Sequence, residues 1–297
     1  MFCFCFCYDG IMNITHIARE FSSVKLLGVG ESSHGTHEFF EFKFELLKEL
    51  VTKYDFNTIL FEDSSKACGE INSFISANNK ANIDDLMLLL YSVWRVEELK
   101  ELILWLKENY KNHKVEFVGF DIEQNEKNLK KRDELMAENI RKHLNIRPTT
   151  KALVWAHNSH LQVTPSNFNQ KPMGLFLKLN FGARYATLAL LFGKGSVSST
   201  KLSLDAQPNS DRTLNTIRVD SIPERLAESK LNKLNNEPYF LSKKEINKIP
   251  NSLTLIRSIG WGTVPELVNK YVEQTNLKIS FDGIIYFPNT TASLPLR

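Results

Sequence analysis

The sequence predicts a three-layer α/β/α fold, with a mostly parallel, mixed central sheet covered by helices on both faces. Four short apolar runs alternate with longer amphipathic segments along the first half of the chain. Strands that alternate with helices are typical of β-α units around a parallel sheet. Each run also ends in a polar residue or is directly followed by one, as expected where strands stop at one edge of such a sheet. We expect helical elements to lie over that edge.

The four apolar runs are the first predicted strands. They cover residues 26–30 (LLGVG), 57–62 (NTILFE), 115–121 (VEFVGFD) and 152–157 (ALVWAH). Apolar residues recur with helical spacing between and after them. This spacing predicts helices at residues 38–53, 66–76, 96–110 and 124–144.

The second half of the chain is less regular. A helix is predicted at residues 173–182, where Gly182 ends it, and a strand at residues 183–193. The following segment, residues 194–218, is rich in Ser, Asn, Asp and Thr, which predicts a loop or hairpin. Further strands are predicted at residues 235–240 and 281–287. No internal repeat or long linker is present, so we expect one domain over residues 12–297.

The first eleven residues, MFCFCFCYDGI, differ from the rest. The spacing of Cys3, Cys5 and Cys7 suits an extended strand better than a tetrahedral metal site. The run lacks a basic start and is too short for a signal peptide. We expect residues 1–11 to be a disordered or artificial leader and Met12 to be a candidate start. Free cysteines without an export signal favour the cytoplasm.

Charge and hydropathy exclude two classes of partner. There are 37 basic and 34 acidic residues, a net charge of +3, which is too small for a nucleic-acid-binding footprint. No apolar run of about 18 residues exists, so no transmembrane helix is expected. The oligomeric state has no signature in the sequence.

The candidate site begins at the turn after the first strand. Glu31 and His34 form an E-x-x-H pair there, and His157 and His160 form an H-x-x-H pair after the fourth strand. A histidine beside carboxylates can act as a general base towards water. The same four residues also match a metal centre. The simpler interpretation is that the histidines cap backbone groups, and all three interpretations fit the sequence.

Two carboxylates and a guanidinium add to this set. Glu62 and Asp121 end apolar runs, and a buried carboxylate must be paired or hydrogen-bonded. Each could orient a histidine, and Asp121 could instead cap a helix. Arg95 could bind a polar substrate group or pair with Glu98 on its own helix.

Two catalytic motifs are incomplete. Gly28-Val29-Gly30 begins a dinucleotide-binding fingerprint, but Ser33 stands at the third glycine position. The segment GESSHG is not the G-x-S-x-G elbow of serine hydrolases.

Seven segments occur in a characteristic order along the chain: GVGESSHGTHEFFEFKFELLKELV, the strand that ends at Glu62, WRVEELKELILWLKENY, VGFD, WAHNSH, MGLFLK and FDGIIYF. In these segments the chain resembles the erythromycin esterase family. The resemblance implies an α/β fold and addition of water to an ester or lactone without a required metal or cofactor. It implies His34 as base, with Glu31, Glu62, His157 and His160 around it.

The resemblance also has implications for the substrate and for the residues that bind it. Lys43 stands where a basic residue facing the cleft is expected, and with Arg95 and Asp121 it forms the predicted substrate-binding set. The chain is compact beside macrolide esterases, so the helical portion that shapes an antibiotic pocket is expected to be reduced. We therefore predict a hydrolase of ester or lactone bonds in a small molecule, with macrolides among the candidates. A metal-dependent hydrolase with the same ligands and a non-catalytic or biosynthetic relative that binds a small polyketide or sugar ester are the alternatives.

Overall fold

The computed structural model describes residues 12–76, 81–122, 131–167, 170–204, 212–249 and 254–296. Its strands are β1 Leu26–Val29, β2 Phe56–Ser64, β3 Glu116–Asp121, β4 Lys151–Trp155, β5 Tyr185–Lys201, β6 Leu214–Val219, β7 Tyr239–Ser242, β8 Leu255–Arg257, β9 Gly262–Thr263, β10 Val272–Gln274 and β11 Gly283–Thr290. Its α-helices are α1 Ile14–Phe21, α2 His37–Tyr54, α3 Ser65–Ser76, α4 Ile83–Met87, α5 Glu97–His113, α6 Arg132–Ile146, α7 Asn158–Leu161, α8 Met173–Phe181, α9 Glu228–Leu231, α10 Lys243–Ile246 and α11 Leu277–Ser280.

The main sheet is mixed and mostly parallel. Its path runs β3-β2-β4-β1-β5-β11-β7, and β6 and β9 both pair with the long β5. All neighbours along the path are parallel except β7, which runs antiparallel to β11. Strands β8 and β10 form a separate antiparallel pair. The strand order places β1 and β4 side by side, although more than 120 residues separate their partners Leu26 and Ala152.

Both faces of the sheet are covered, which follows from the alternation of side chains along a strand. In β1, Leu27 and Val29 pack with the apolar residues of α1, α2, α3 and α5. Leu26, on the opposite face, packs with those of α6 and α8. A third cluster joins β5, β7 and β11 to α9, α10 and α11. The predicted three-layer α/β/α fold is confirmed.

Helix α2 carries the residues that connect β1 to the rest of the core. Its buried side chains include Phe39, Leu46 and Leu50, which recur with helical spacing. Lys43 lies in the same stripe and is fully buried with it. The helix ends where Asp55 adopts a left-handed conformation and donates its N–H to the Leu50 carbonyl.

The turn between β1 and α2 is fixed by backbone bonds from two other segments. Ser198 of β5 donates to the Gly35 carbonyl at 2.7 Å, and Ile259 donates to the Ser32 carbonyl at 2.8 Å. A Cβ atom at Gly35 would lie 1.8 Å from the Ser198 carbonyl oxygen, so only glycine allows this approach. The turn is therefore a rigid platform for its side chains.

The structure corrects two predicted boundaries. Polar residues 194–201 belong to β5, because pairing with β6 and β9 outweighs a composition typical of loops. The prediction of a loop or hairpin at residues 194–218 is correct in part, because β6 pairs antiparallel with β5. Strand β7 begins at Tyr239 rather than at residue 235. The helix predicted at residues 124–144 is present from Arg132 to Ile146, and its predicted first residues, 124–130, lie outside the described residues.

Some predictions fall outside the described part of the chain. The leader of residues 1–11, with its three cysteines, is among them. The single domain over residues 12–297 stays a prediction. None of the described helices is both long and apolar enough to cross a membrane.

Candidate active site

Side chains from four strand ends meet at one edge of the sheet. Glu31 and His34 follow β1, Glu62 lies near the end of β2, and His157 and His160 follow β4. These strands are mutually parallel, so their carboxyl ends share an edge. Asp121 at the end of β3 joins the cluster through Arg132.

His34 is held by a buried carboxylate. Its Nδ1 lies 2.7 Å from Glu31 Oε1, and the Lys43 ammonium lies 2.5 Å from Glu31 Oε2. An ionised carboxylate only accepts hydrogen bonds, so Nδ1 carries the proton and Nε2 has the lone pair. Within the described ranges no hydrogen bond reaches Nε2. Glu31 therefore orients the His34 ring and can stabilise its protonated form, while Nε2 stays available as the basic nitrogen.

Lys43 lies beneath the turn. The sequence led us to expect it on the cleft surface, but its side chain is 0% exposed. Burial lowers the pKa of Lys43, and the Glu31 charge opposes that shift. The ammonium also lies 4.5 Å from the Trp155 ring centroid. In this position Lys43 holds Glu31.

His157 presents a neutral ring beside His34. Its Nδ1 accepts from the backbone N–H of Ser159 at 3.2 Å and lies 2.8 Å from the Ser159 hydroxyl, so Nε2 carries the hydrogen. In the described part of the chain Nε2 makes no hydrogen bond of ordinary geometry. The Ser32 carbonyl makes a small contribution that raises the pKa of His157. Burial and the neighbouring His34 hold the pKa of His157 well below its usual range. The ring centroids of His157 and His34 are 5.1 Å apart.

The capping interpretation is correct for His157 in one respect. Its side chain caps the short helix α7 through the Ser159 N–H. The same bond fixes the tautomer, so capping leaves a hydrogen-bond donor at Nε2.

His160 is anchored at both nitrogens. Its Nδ1 lies 2.9 Å from Asp133 Oδ2, and its Nε2 lies 3.2 Å from Glu62 Oε1. Burial alone would lower the pKa of His160, but Asp133 and Glu62 outweigh burial and raise the pKa to about 10. His160 is therefore an imidazolium at neutral pH.

Glu62 links the two histidines after β4. Its Oε2 accepts the His157 backbone N–H at 2.8 Å, while Oε1 faces His160 and Arg132. Burial would raise the pKa of Glu62, but His160, His34 and Arg132 hold it well below its usual range. Glu62 thus stays ionised. Its oxygens bind the residues after β4 and Arg132, so Glu31 rather than Glu62 is the partner of the His34 imidazole.

The remaining predicted residues have defined places. Asp121 accepts two bonds from Arg132, at 2.9 and 2.7 Å. Arg95 donates from Nε to the Leu90 carbonyl, and none of its described contacts reaches the cluster. The alternative ion pair with Glu98 is absent from the described contacts, since Glu98 bonds to His37 and to the Leu294 N–H.

Three site residues escaped the sequence analysis. Trp94 packs edge-on against His34 at 4.8 Å and donates to the Glu62 carbonyl. Arg132 and Asp133 lie in the charged run KKRDE, which has the composition of a solvated helix face. One feature sets Asp133 apart. It shares the buried stripe of α6 with Met136, Ala137, Ile140 and Leu144, where an unpaired carboxylate is unfavourable.

Each carboxylate of the cluster contacts a cation. Glu31 has Lys43, Asp121 and Glu62 have Arg132, and Asp133 has His160. Among the described residues no group of His, Cys, Asp and Glu has the arrangement of a metal site.

The anchoring of His160 predicts a pH dependence of stability. The ordinary pKa of 6.5 applies to the unfolded chain, whereas folding raises it to about 10. The folded state therefore binds the proton more tightly, and this stabilisation is complete below about pH 6.5 and is lost as the pH rises through about 10. We expect the melting temperature to fall over this interval, and His160→Gln to flatten the fall.

His37 provides the matched control for that measurement. Hydrogen bonds to Glu41 and Glu98 raise its pKa to about 10 as well. His37→Gln should remove its own share of the slope, and the double variant should remove both. An alkaline slope in His160→Gln equal to that of the wild type would contradict the assignment.

Comparisons with known proteins agree on the family. The family model described as erythromycin esterase matches residues 51–131 and 123–290. Erythromycin esterase type II of Escherichia coli is 32% identical over 119 residues, which are 39% of this chain. That match spans 28% of the length of the Escherichia coli protein.

Solved structures share the fold. A Bacillus cereus protein superposes with a TM-score of 0.75 at 15% identity, over 96% of this chain and 94% of its own. The erythromycin esterase EreC, as a mutant in its open conformation, gives 0.71 at 16% identity over 93% of each chain. A protein described as a succinoglycan biosynthesis protein gives 0.70 at 17% identity over 95% and 92%. Because the family model extends over most of the sequence, this chain belongs to the erythromycin esterase family.

Proposed function

We propose that the protein hydrolyses an ester or lactone bond in a small molecule, with His34 as general base and without a metal or other cofactor. The observation that carries this proposal is the His34 imidazole, which is bound to Glu31 through Nδ1 and has no hydrogen bond at Nε2 among the described residues. A base must have a free lone pair and an oriented ring, and this arrangement supplies both.

The proposed reaction assigns one task to each group. A water molecule attacks the carbonyl carbon while His34 Nε2 takes one of its protons. Glu31 accepts the Nδ1–H and stabilises the imidazolium that forms, as a triad carboxylate does. When the carbon–oxygen bond of the ester breaks, the imidazolium returns the proton to the leaving alkoxide. The products are a carboxylic acid and an alcohol, and His34 is again neutral.

His157 is proposed as the electrophilic partner. Its neutral Nε2–H lies beside His34 and can donate to the carbonyl oxygen as negative charge develops there. Such a preoriented donor is worth about 10²–10³ in rate when it is removed from other hydrolases. His160 is held at both nitrogens, so we assign it to orientation of Glu62 rather than to contact with the substrate.

Metal independence is supported by the charge distribution. A divalent cation would have to displace Lys43, Arg132 or the His160 imidazolium from the carboxylates that bind them. Membership of the erythromycin esterase family supports a macrocyclic lactone as one substrate class. Arg95 and Asp121 have no assigned contact with substrate in this proposal, because Asp121 is bound to Arg132 and Arg95 to its own turn.

A substrate panel tests the proposal. The purified protein would be incubated with erythromycin, 4-nitrophenyl esters of increasing acyl length and simple lactones, and hydrolysis would be followed by mass spectrometry and by proton release. We expect at least one carboxylic ester or lactone to gain one water. Treatment with a chelator should leave the rate unchanged.

Two results would count against the proposal. Activity that disappears on chelation and returns with zinc or manganese would replace the metal-free reaction by a metal-dependent one. Binding of a panel member without turnover would assign the protein to non-catalytic relatives.

A further inference from the structure

We propose that Arg132 is a positioning residue for the hydrolytic reaction, because its guanidinium binds Glu62 of β2 and Asp121 of β3, and Glu62 in turn binds the segment after β4. This inference rests on the proposed function. Arg132 is the first residue of α6, and its side chain is 21% exposed.

The contacts of Arg132 reach the ends of two strands. Nε and Nη2 form a two-pronged bond to Asp121 of β3. Nη2 also lies 3.2 Å from Glu62 Oε1 of β2, the same oxygen that faces His160 Nε2 at 3.2 Å. The next residue, Asp133, binds the other nitrogen of the same imidazole. Asp133 therefore holds His160 directly, and Arg132 holds the carboxylate oxygen on the other side of the ring.

The charges explain why a cation is needed here. Glu62, Asp121 and Asp133 bring three carboxylates into one partly buried volume, and the His160 imidazolium balances only one of them. A buried carboxylate without a partner is costly, so loss of Arg132 would displace Glu62 and Asp121 or protonate one of them. The planar fork of arginine binds two oxygens with fixed geometry, whereas a lysine ammonium supplies a point charge.

Arg132 is connected to the reacting groups through Glu62. The second oxygen of Glu62 accepts the His157 backbone N–H, and the His157 ring lies beside His34. A shift of Glu62 would therefore move the proposed carbonyl donor relative to the base. A displacement of about 1 Å in an active site costs up to about 10² in rate.

The kinetic test compares Arg132→Gln, Arg132→Lys and the wild type on 4-nitrophenyl acetate. We expect Arg132→Gln to lower kcat by about 10- to 100-fold, with KM changed by no more than about twofold, since Arg132 acts through other residues. Arg132→Lys should recover thermal stability but only part of kcat, because the charge returns without the fork. Arg141→Gln is the matched control, since Arg141 lies on the same helix in an exposed pair with Glu138.

A double-variant cycle separates positioning from general destabilisation. If Arg132 acts through Glu62, Arg132→Gln combined with Glu62→Gln should be no slower than the slower single variant. Multiplicative losses in the double variant, or full recovery of kcat in Arg132→Lys, would overturn the proposal. A rise in KM with unchanged kcat would do the same.

A spectroscopic arm keeps this inference separate from the proposed function. In protein labelled with ¹⁵N-histidine, Arg132→Gln should shift the side-chain nitrogen resonances of His160, and Arg141→Gln should not. Unshifted resonances would overturn the bridging role of Arg132 whether or not any ester is hydrolysed. If the resonances shift but the protein hydrolyses no ester, the structural contacts of Arg132 would be supported and its role in a hydrolytic reaction would be rejected.

Discussion

Replacing His34 with alanine should lower the rate of ester hydrolysis by roughly 10²–10⁴, the usual share of a positioned general base. The reason is that neither of the other two histidine rings described at this site has a free lone pair. His157 Nδ1 accepts from Ser159, and both nitrogens of His160 are occupied. His34→Gln should not restore the rate, because an amide does not accept the proton. The measurement is kcat/KM on an ester that the wild type turns over.

The controls for this experiment separate chemistry from folding. His34 makes edge contacts with Trp94 but is not part of the apolar clusters, so circular dichroism of His34→Ala should match that of the wild type. His16→Ala is the matched variant, because His16 is an exposed histidine of α1. Glu31→Gln should retain the base and lose its charged partner, so its loss should be smaller. A folded His34→Ala protein with near-wild-type turnover would reject the proposed reaction.

Lys43→Met should destabilise the protein by about 3–5 kcal/mol, the usual cost of removing one partner from a buried ion pair. Methionine matches the length of the lysine stem and fits the apolar stripe of α2. What it removes is the ammonium on Glu31, and this carboxylate is 1% exposed. Glu31 would then gain a proton or move, and His34 would lose its orientation. Urea denaturation and ester turnover should therefore both report losses.

Two further variants isolate the buried charge. Lys53→Met removes an exposed lysine of the same helix from its 2.8 Å pair with Glu49, and such pairs contribute about 0.2–1 kcal/mol. Lys43→Met combined with Glu31→Gln removes both charges, so it should regain much of the stability while turnover stays low. A stability loss in Lys43→Met no larger than that in Lys53→Met would show that Lys43 does not hold Glu31.

The sequence determined the fold class and the edge that carries the site. The continuous apolar run of β1 and the period near 3.6 in α2 are local properties, which can be recognised without knowledge of the neighbouring elements. The rule that parallel strands end at one edge then brings Glu31, Glu62, Asp121 and His157 together. The length of β5 could not be predicted from the sequence. Its polar residues after Gly193 form a strand because they pair with β6 and β9, which lie later in the chain.

Only the tertiary structure decided which charged group partners which. In the part of the chain that the structure describes, four carboxylates, Lys43, Arg132 and three histidines meet at this edge, and many pairings satisfy the same sequence. The choice depends on distances of about 3 Å, and these follow from the order β3-β2-β4-β1, which differs from the order along the chain. That order puts Glu31 with His34 and Lys43, and Glu62 with Arg132 and His160. Hydrophobic periodicity reports which face of an element is buried, but a bond between two polar groups depends on the position of both, and packing of the whole sheet sets that position.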